Sequence, residues 1–146
     1  MPTTRALDPR LLELFTTRPI GVLVTLKRDG RPQLSNVTHV YDPDSGTLRI
    51  SIVEGRAKTA NLRRDPRASY HVSTPSGSSY VVAEGTATLS APAAEPDDQV
   101  VEDLVALYRQ ASGEHPDWDD YRAAMVRDRR ILLTIEVTHM YGLWQG

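Results

Sequence analysis

Residues 56–67 carry the charges that point most clearly to chemistry in this 146-residue chain. Five of these twelve residues are basic and one is acidic, although the formal net charge of the whole chain is −2. A short helix is predicted over residues 56–64, because Asp65-Pro66 ends it. Cations in the first turn of a helix face the positive end of its macrodipole, which is mildly unfavourable. Arg56 and Lys58 lie in that turn, so the pattern predicts a bound anion there, most simply a phosphate.

A solvated basic helix that joins two strands is the alternative interpretation of the same segment. Its remaining arginines lie near the helix C-terminus, where cations are favourable without any ligand. Two features favour the ligand. The helix directly follows a strand-like alternation that ends at Val53, and Thr59 and Asn61 add hydrogen-bonding groups beside the cations.

Composition restricts the class of protein. With 40% hydrophobic and 25% charged residues, the chain is typical of a soluble globular protein, and its length predicts a single domain over residues 1–146. The absence of cysteine excludes disulfides and thiol chemistry, and the four histidines lack metal-ligand spacing, so no metal is predicted. We expect no membrane span and no signal peptide, hence a cytoplasmic location. A pI near 6.1 argues against nucleic acid as a partner.

Strand-like alternation dominates the remainder of the chain. Asp29-Gly30 predicts a hairpin turn between the first two strands, and Gly85 in the fifth predicts a bulge or a bend. Strands are expected over residues 21–27, 33–41, 48–53, 68–73, 80–89 and 131–139. Helices are expected from Pro9 to about Phe15, over residues 97–110 and after Asp117. Six antiparallel strands with few helices predict a mainly β protein whose sheet forms a closed or split barrel.

Five motifs extend over nearly the whole chain, in residues 21–25, 30–37, 56–67, 82–87 and 115–121. They read Gly-Val-Leu-Val-Thr, Gly-Arg-Pro-Gln-Leu-Ser-Asn-Val, the basic helix, Val-Ala-Glu-Gly-Thr-Ala and His-Pro-Asp-Trp-Asp-Asp-Tyr. Together they resemble the flavin-binding split β-barrel of pyridoxamine 5'-phosphate oxidase-like proteins. Within that family they are most similar to the subgroup that uses the deazaflavin coenzyme F420.

The resemblance implies a six-stranded antiparallel split β-barrel that forms a homodimer, with two cofactor sites at the subunit interface. Arg56 and Lys58 correspond to residues that bind the cofactor phosphate. The other cofactor-binding residues that the resemblance implies are Thr59 and Asn61 near the phosphate, Gln33, Ser35 and Asn36 beside the deazaflavin ring, Ser51 and Ile52 before the basic helix, and Ser79 and Tyr80, which line the same site from the same or the partner subunit.

The expected activity is hydride transfer from reduced F420 to a conjugated organic small molecule. No catalytic residue is predicted, because a reduced deazaflavin carries the hydride itself. Arg31 or Arg130 offers further positive charge for the carboxylates of the F420 tail. Two alternatives remain open: an FMN-dependent pyridoxamine 5'-phosphate oxidase-like enzyme, and a non-catalytic carrier of F420 or flavin. An RNA-binding module is disfavoured, since no aromatic stacking platform adjoins the basic residues.

Overall fold

A computed structural model describes residues 8–145, which form four helices and six strands. In chain order the elements are α1 (Pro9–Thr17), β1 (Ile20–Leu26), β2 (Pro32–Asp42), β3 (Thr47–Val53), α2 (Ala57–Arg64), β4 (Arg67–Ser73), β5 (Tyr80–Leu89), α3 (Gln99–Ser112), α4 (Trp118–Arg127) and β6 (Arg130–Leu143).

The six strands pair antiparallel in the order β1-β2-β3-β6-β5-β4, and β4 pairs with β1 to close the barrel. This architecture confirms the predicted six-stranded, mainly β fold. Side chains alternate between the two faces of each strand, so that Leu48, Ile50 and Ile52 of β3 are buried while the residues between them face outward. The barrel interior is filled chiefly by Leu23, Leu48, Ile50, Ile52, Tyr70, Val72, Val81, Ile131, Leu133 and Ile135.

Helices α3 and α4 cover part of the outer surface of the barrel. Asp98 begins α3 by accepting a hydrogen bond from the backbone N–H of Val101, and Asp117 begins α4 in the same way. The two helices form a second, smaller core with outward-facing side chains of β2 and β6: Val101, Leu104, Val105, Leu107 and Met125 pack with Val40 and Leu132. This layer supplies one wall of the cavity described below.

Strand β6 is longer than its alternation predicts. We expected it to end near residue 139, but it continues to Leu143 because its second half pairs with the beginning of β5. The predicted irregularity at Gly85 is confirmed by a register shift between Glu84 and Gly85, and the extra residue of this bulge, Thr138, belongs to β6. A Cβ atom at Gly85 would lie 2.0 Å from the carbonyl oxygen of Glu136, so only glycine fits at this crossing.

Four large apolar side chains remain exposed on the outer surface of the strands. They are Ile20 (59% exposed), Leu34 (60%), Tyr141 (45%) and Leu143 (47%). None of them joins either hydrophobic core cluster. We call these four residues the exposed apolar face.

Candidate functional site

A cavity of about 610 Å³ lies between the outer surface of β2 and β3 and the helical layer. Its two sides differ in chemistry. One side is apolar and aromatic, formed by Leu107 and Tyr108 of α3 and by Tyr121 and Met125 of α4. The strand side is polar, with Asn36, Thr38 and Ser51 among the lining residues. We call this the first cavity.

Three cations, Arg56, Lys58 and Arg130, converge at one end of the first cavity. Within residues 8–145, none of the three forms a salt bridge with a carboxylate. Burial, reinforced by the nearby charges of Arg56 and Arg130, lowers the pKa of Lys58. The Nε of Arg130 is buried and has no hydrogen-bond partner. Such a cluster is incomplete without a negative charge, which an anionic ligand would supply.

Helix α2 adds backbone donors to the same end. Arg56 is its N-cap residue and makes no side-chain capping hydrogen bond, so the first N–H groups of the helix have no side-chain acceptor from that position. Free N–H groups at a helix N-terminus together with unpaired cations form a site suited to phosphate. The charge pattern of the basic segment predicts this arrangement.

Arg130 reaches the site through the turn that joins α4 to β6. Arg129 in that turn has a positive φ of 51°, a left-handed conformation that is uncommon for residues other than glycine. Arg130 then pairs with Val53, the last residue of β3, which places it next to the segment that leads into α2. Arg31, the other arginine expected to supply additional charge, does not line the first cavity.

Five of the predicted cofactor-binding residues line the first cavity: Asn36, Ser51, Ile52, Arg56 and Lys58. Ser35, which alternates with Asn36 and lies on the interior side of β2, does not line it. The aromatic residues that α3 and α4 contribute were not predicted as site residues. The sequence shows the apolar stripes of α3 and α4. It does not show which strand surface the two helices pack against.

Gln33, Thr59 and Asn61 use their polar groups inside the protein. The Asn61 Nδ2 donates to Gln33 Oε1 at 2.7 Å and to Thr25 Oγ1 at 3.1 Å. The Thr59 hydroxyl donates to the Val53 carbonyl at 2.7 Å. Thr59 and Asn61 are buried, and in this structure they attach α2 to the barrel and do not line the cavity.

Ser79 and Tyr80 lie at the other end of β6 from the cations. Tyr80 pairs with Leu143, whereas Ser51 pairs with Leu132 near the beginning of the strand. The Ser79 hydroxyl donates to the Gln145 carbonyl at 3.0 Å and accepts from the Gln145 N–H at 2.8 Å. Ser79 therefore anchors the C-terminal segment, and one chain alone does not bring it to the first cavity.

A second cavity of about 420 Å³ adjoins the first. Asn36 lines both, and Arg18, Val22, His71 and Thr74 are among the other lining residues of the second. No carboxylate lines either cavity. In the described part of the chain, the side chains of Arg18, Asn36 and His71 form no hydrogen bond. The His71 ring stacks on Tyr80 with a centroid distance of 5.6 Å.

The buried His39 side chain forms hydrogen bonds inside the barrel. One ring nitrogen, Nε2, lies 2.7 Å from the Phe15 carbonyl, and Nδ1 lies 2.6 Å from the Tyr70 hydroxyl. Since a carbonyl can only accept, Nε2–H donates to it, and Nδ1 of the neutral ring accepts from Tyr70. Burial lowers the pKa of His39 and raises that of Tyr70, so both stay neutral. The pair connects α1 to β2 and β4.

Residues 8–145 contain neither a metal-binding cluster nor a membrane-spanning helix. Their histidine and acidic side chains form no group of three or more that could hold a metal ion. None of the helices in this range is long and apolar enough to cross a membrane. The anion site thus rests on arginine, lysine and backbone donors.

Comparisons with known proteins agree with this fold. The sequence model of the family described as pyridoxamine 5'-phosphate oxidase matches residues 7–143. An F420 reductase is 22% identical with a TM-score of 0.65, covering 94% of this chain and 98% of its own. A conserved hypothetical protein from Mycobacterium tuberculosis is 18% identical, with a TM-score of 0.70 and coverages of 97% and 87%. The heme storage protein HutZ from Vibrio cholerae is 16% identical, with a TM-score of 0.67 and coverages of 94% and 94%. At these identities the structural likeness shows a shared fold.

Proposed function

Because the chain belongs to the pyridoxamine 5'-phosphate oxidase family, we propose that it is an oxidoreductase that uses reduced coenzyme F420 to reduce a conjugated organic substrate. The observation that carries the proposal is the cluster of Arg56, Lys58 and Arg130, which has no carboxylate partner in the described chain. The cluster fits an anionic cofactor, and the unpartnered Nε of Arg130 is a donor that such a cofactor would satisfy.

The number of cations favours F420 over FMN. Both cofactors carry a phosphate on a ribityl chain, and the F420 tail continues through a lactyl group to glutamate carboxylates. Arg56 and Lys58 suffice for a phosphate, so the third cation, Arg130, is available to a further negative group. Since neither cavity contains a carboxylate, additional negative charge on the ligand meets no repulsion there.

A reduced deazaflavin supplies hydride from its own ring when it is bound, so the protein has to bind, orient and shield it. Arg56, Lys58 and Arg130 would hold the anionic end of the cofactor. The aromatic wall formed by Tyr108 and Tyr121 would exclude water from the space above β2 and β3.

The proposal includes a homodimer. The exposed apolar face places Ile20, Leu34, Tyr141 and Leu143 in water, and a second copy of the chain would bury them. Ser79 and Tyr80 lie beside the Leu143 end of this face. In a dimer, Ser79 and Tyr80 could reach the cofactor of the partner subunit. They could then bind cofactor although they lie far from the cations of their own chain.

Side-by-side titration of the purified protein with F420 and with FMN, followed by fluorescence, tests the cofactor. We expect tighter binding of F420. We also expect binding to weaken with salt, because exposed charges are screened over roughly 8–10 Å at 0.1–0.15 M ionic strength. Reduced F420 is then supplied with a panel of enones, quinones and tetrapyrroles, and its oxidation is measured.

Each alternative gives a different result in these assays. Tighter binding of FMN, with oxidation of pyridoxamine 5'-phosphate, would support the FMN-dependent oxidase. Tight binding of F420 without turnover of any acceptor in a broad panel would support a carrier.

A further inference from the structure

Three outward-facing residues form a straight row across neighbouring strands of the barrel. Asn36 of β2 pairs with Val22 of β1, and Val22 pairs with His71 of β4. Neighbouring strands lie about 4.8 Å apart, so the backbones of Asn36 and His71 are about 10 Å apart with Val22 between them. The row forms a floor with an apolar centre and a hydrogen-bonding group at each edge, which is complementary to a flat ligand with polar edges.

The second cavity lies over this row, and Asn36 lines both it and the first cavity. A ligand anchored by its anionic end at Arg56 and Lys58 and extending along β2 to Asn36 would border the second cavity. The second cavity has no acidic side chain, and its basic groups are Arg18 and His71. Electron-rich oxygen atoms, such as those of a carbonyl group, suit these surroundings.

We propose that the second cavity binds the hydride acceptor, a planar conjugated carbonyl compound, and that the His71 imidazole gives a proton to its carbonyl oxygen. The inference rests on the proposed function and deepens it by assigning a place to the acceptor and a source to its proton. Histidine suits this role because its ring nitrogens can donate and accept protons near neutral pH. No other group that readily exchanges a proton near neutral pH lines the second cavity.

Transfer of a hydride and a proton together reduces the C=C bond of an enone. A hydride forms the new C–H bond at the β-carbon, the C=C electrons shift toward the carbonyl carbon, and the carbonyl electrons move to the oxygen. That oxygen takes the proton of the His71 imidazolium, and the resulting enol becomes the saturated ketone in water. The acceptor gains two electrons and two hydrogens in all. The hydride, with its two electrons, would come from the bound reduced cofactor, and water would return a proton to His71.

Chromone, a planar two-ring enone, serves as the probe, and His71→Gln as the variant. Glutamine keeps a hydrogen-bond donor but cannot transfer a proton. We expect the rate of chromone reduction to fall about 100-fold, within the usual range for loss of a general acid, while the dissociation constant of oxidised F420 stays unchanged. His139→Gln is the matched control, since His139 is exposed on β6 and lines neither cavity. Circular dichroism verifies that both variants fold.

Binding is measured separately by NMR on protein with isotope-labelled histidine rings. The signals of His71 are identified by their loss in His71→Gln, and chromone alone should shift them while those of His139 stay in place. A shift of the His71 signals in a protein that does not bind F420 would support the acceptor site and refute the cofactor. Chromone turnover that His71→Gln leaves intact would refute the role of His71 and leave the cofactor standing.

Two further results would overturn the inference. The first is an unchanged His71 signal at saturating chromone. The second is binding of added haemin, detected by its Soret band, that is lost in the His71→Gln variant. His71 would then be an iron ligand.

Discussion

At the scale of single residues, the cation cluster of the first cavity makes the free protein less stable. The pKa of Lys58 is lowered chiefly by burial, then by Arg56 and Arg130, so folding disfavours the charged form that lysine carries at neutral pH. A lysine whose pKa falls on folding opposes folding wherever it is protonated. The sequence therefore retains these charges at a cost in stability, which is typical of residues kept for binding.

Replacing members of this cluster should separate binding from stability. We expect Arg56→Ala, Lys58→Ala and Arg130→Ala each to weaken F420 binding about ten- to a hundredfold, because a charge-assisted contact contributes about 1.5–3 kcal/mol. Lys58→Met should also raise the thermal midpoint of the free protein. Fluorescence titration and thermal unfolding provide the two measurements.

Arg64→Ala is the control for that series. Its guanidinium donates to the Leu26 carbonyl at 2.6 Å and to Asn61 at 3.2 Å, outside the first cavity. F420 affinity should stay within about twofold of the wild-type value, less than the loss of a net hydrogen bond would cause. Equal losses of F420 affinity in Arg64→Ala and Lys58→Ala would mean that the overall positive charge of the segment, and not a defined site, holds the ligand.

His39 should make stability depend on pH. Burial lowers its pKa in the folded protein below the value near 6.5 expected for the unfolded chain, so the unfolded state binds the proton more tightly. The free energy of unfolding should therefore fall as the pH drops through about 6.5 toward the folded pKa. Urea unfolding between pH 7.5 and 5.5 measures this slope.

The variant His39→Gln cannot titrate and should show a flatter slope over the same range. At pH 7.5 we expect it to be less stable by about 1–3 kcal/mol, because the contacts with Tyr70 and the Phe15 carbonyl are disturbed. His139→Gln should keep the wild-type slope. An unchanged slope in His39→Gln would assign the pH dependence to other groups.

Arg56 and Lys58 could be predicted from the sequence because an unfavourable charge in a helix's first turn is a local signal. Thr59 and Asn61 belong to the same motif, but their partners are Val53 and Gln33, and only folding brings Gln33 near. Nothing local distinguishes a polar residue that contacts a ligand from one that contacts the barrel. His71 escaped prediction for a similar reason, since its row with Asn36 exists only after strands pair.

At the scale of elements, the bulge between β5 and β6 decides which residues reach the surface. Ile131, Leu133 and Ile135 face inward, and unbroken alternation would also bury Tyr141 and Leu143. Thr138 has no partner in the register because His139 pairs with Glu84 and Val137 with Gly85. This extra residue reverses the alternation. The sequence predicts the bulge through Gly85 but not which strand carries the extra residue.

Gly85 should not tolerate a side chain. In Gly85→Ala the new Cβ would meet the carbonyl group of Glu136, which belongs to the backbone and cannot move aside as a side chain could. We expect a loss of about 1–3 kcal/mol in the free energy of unfolding, measured by urea denaturation. The neighbouring exposed substitution Thr86→Ser should change it by less than about 0.5 kcal/mol. Equal stability of both variants would show that the strands can separate at this crossing.

At the scale of the whole molecule, the exposed apolar face determines the expected assembly. Leu143→Glu and Leu34→Glu should each shift the protein from dimer to monomer at micromolar concentration, because a buried unpaired carboxylate is costly. Light scattering measures the change, and F420 titration should show weaker binding in the monomeric variants. Thr88→Glu, exposed on β5 but outside this face, should stay dimeric. A wild-type monomer with full cofactor affinity would contradict both the dimer and the shared site.

Closure of the barrel has a consequence for solubility. Each of the six described strands has two neighbours, but some stretches pair on one side only, among them residues 32–38 of β2, 51–53 of β3 and 138–143 of β6. Open edges are the templates on which β proteins add foreign strands and grow into fibrils. In this protein, strand addition between copies should therefore be confined to these one-sided stretches. Elsewhere in the barrel, contact between copies has to use side chains.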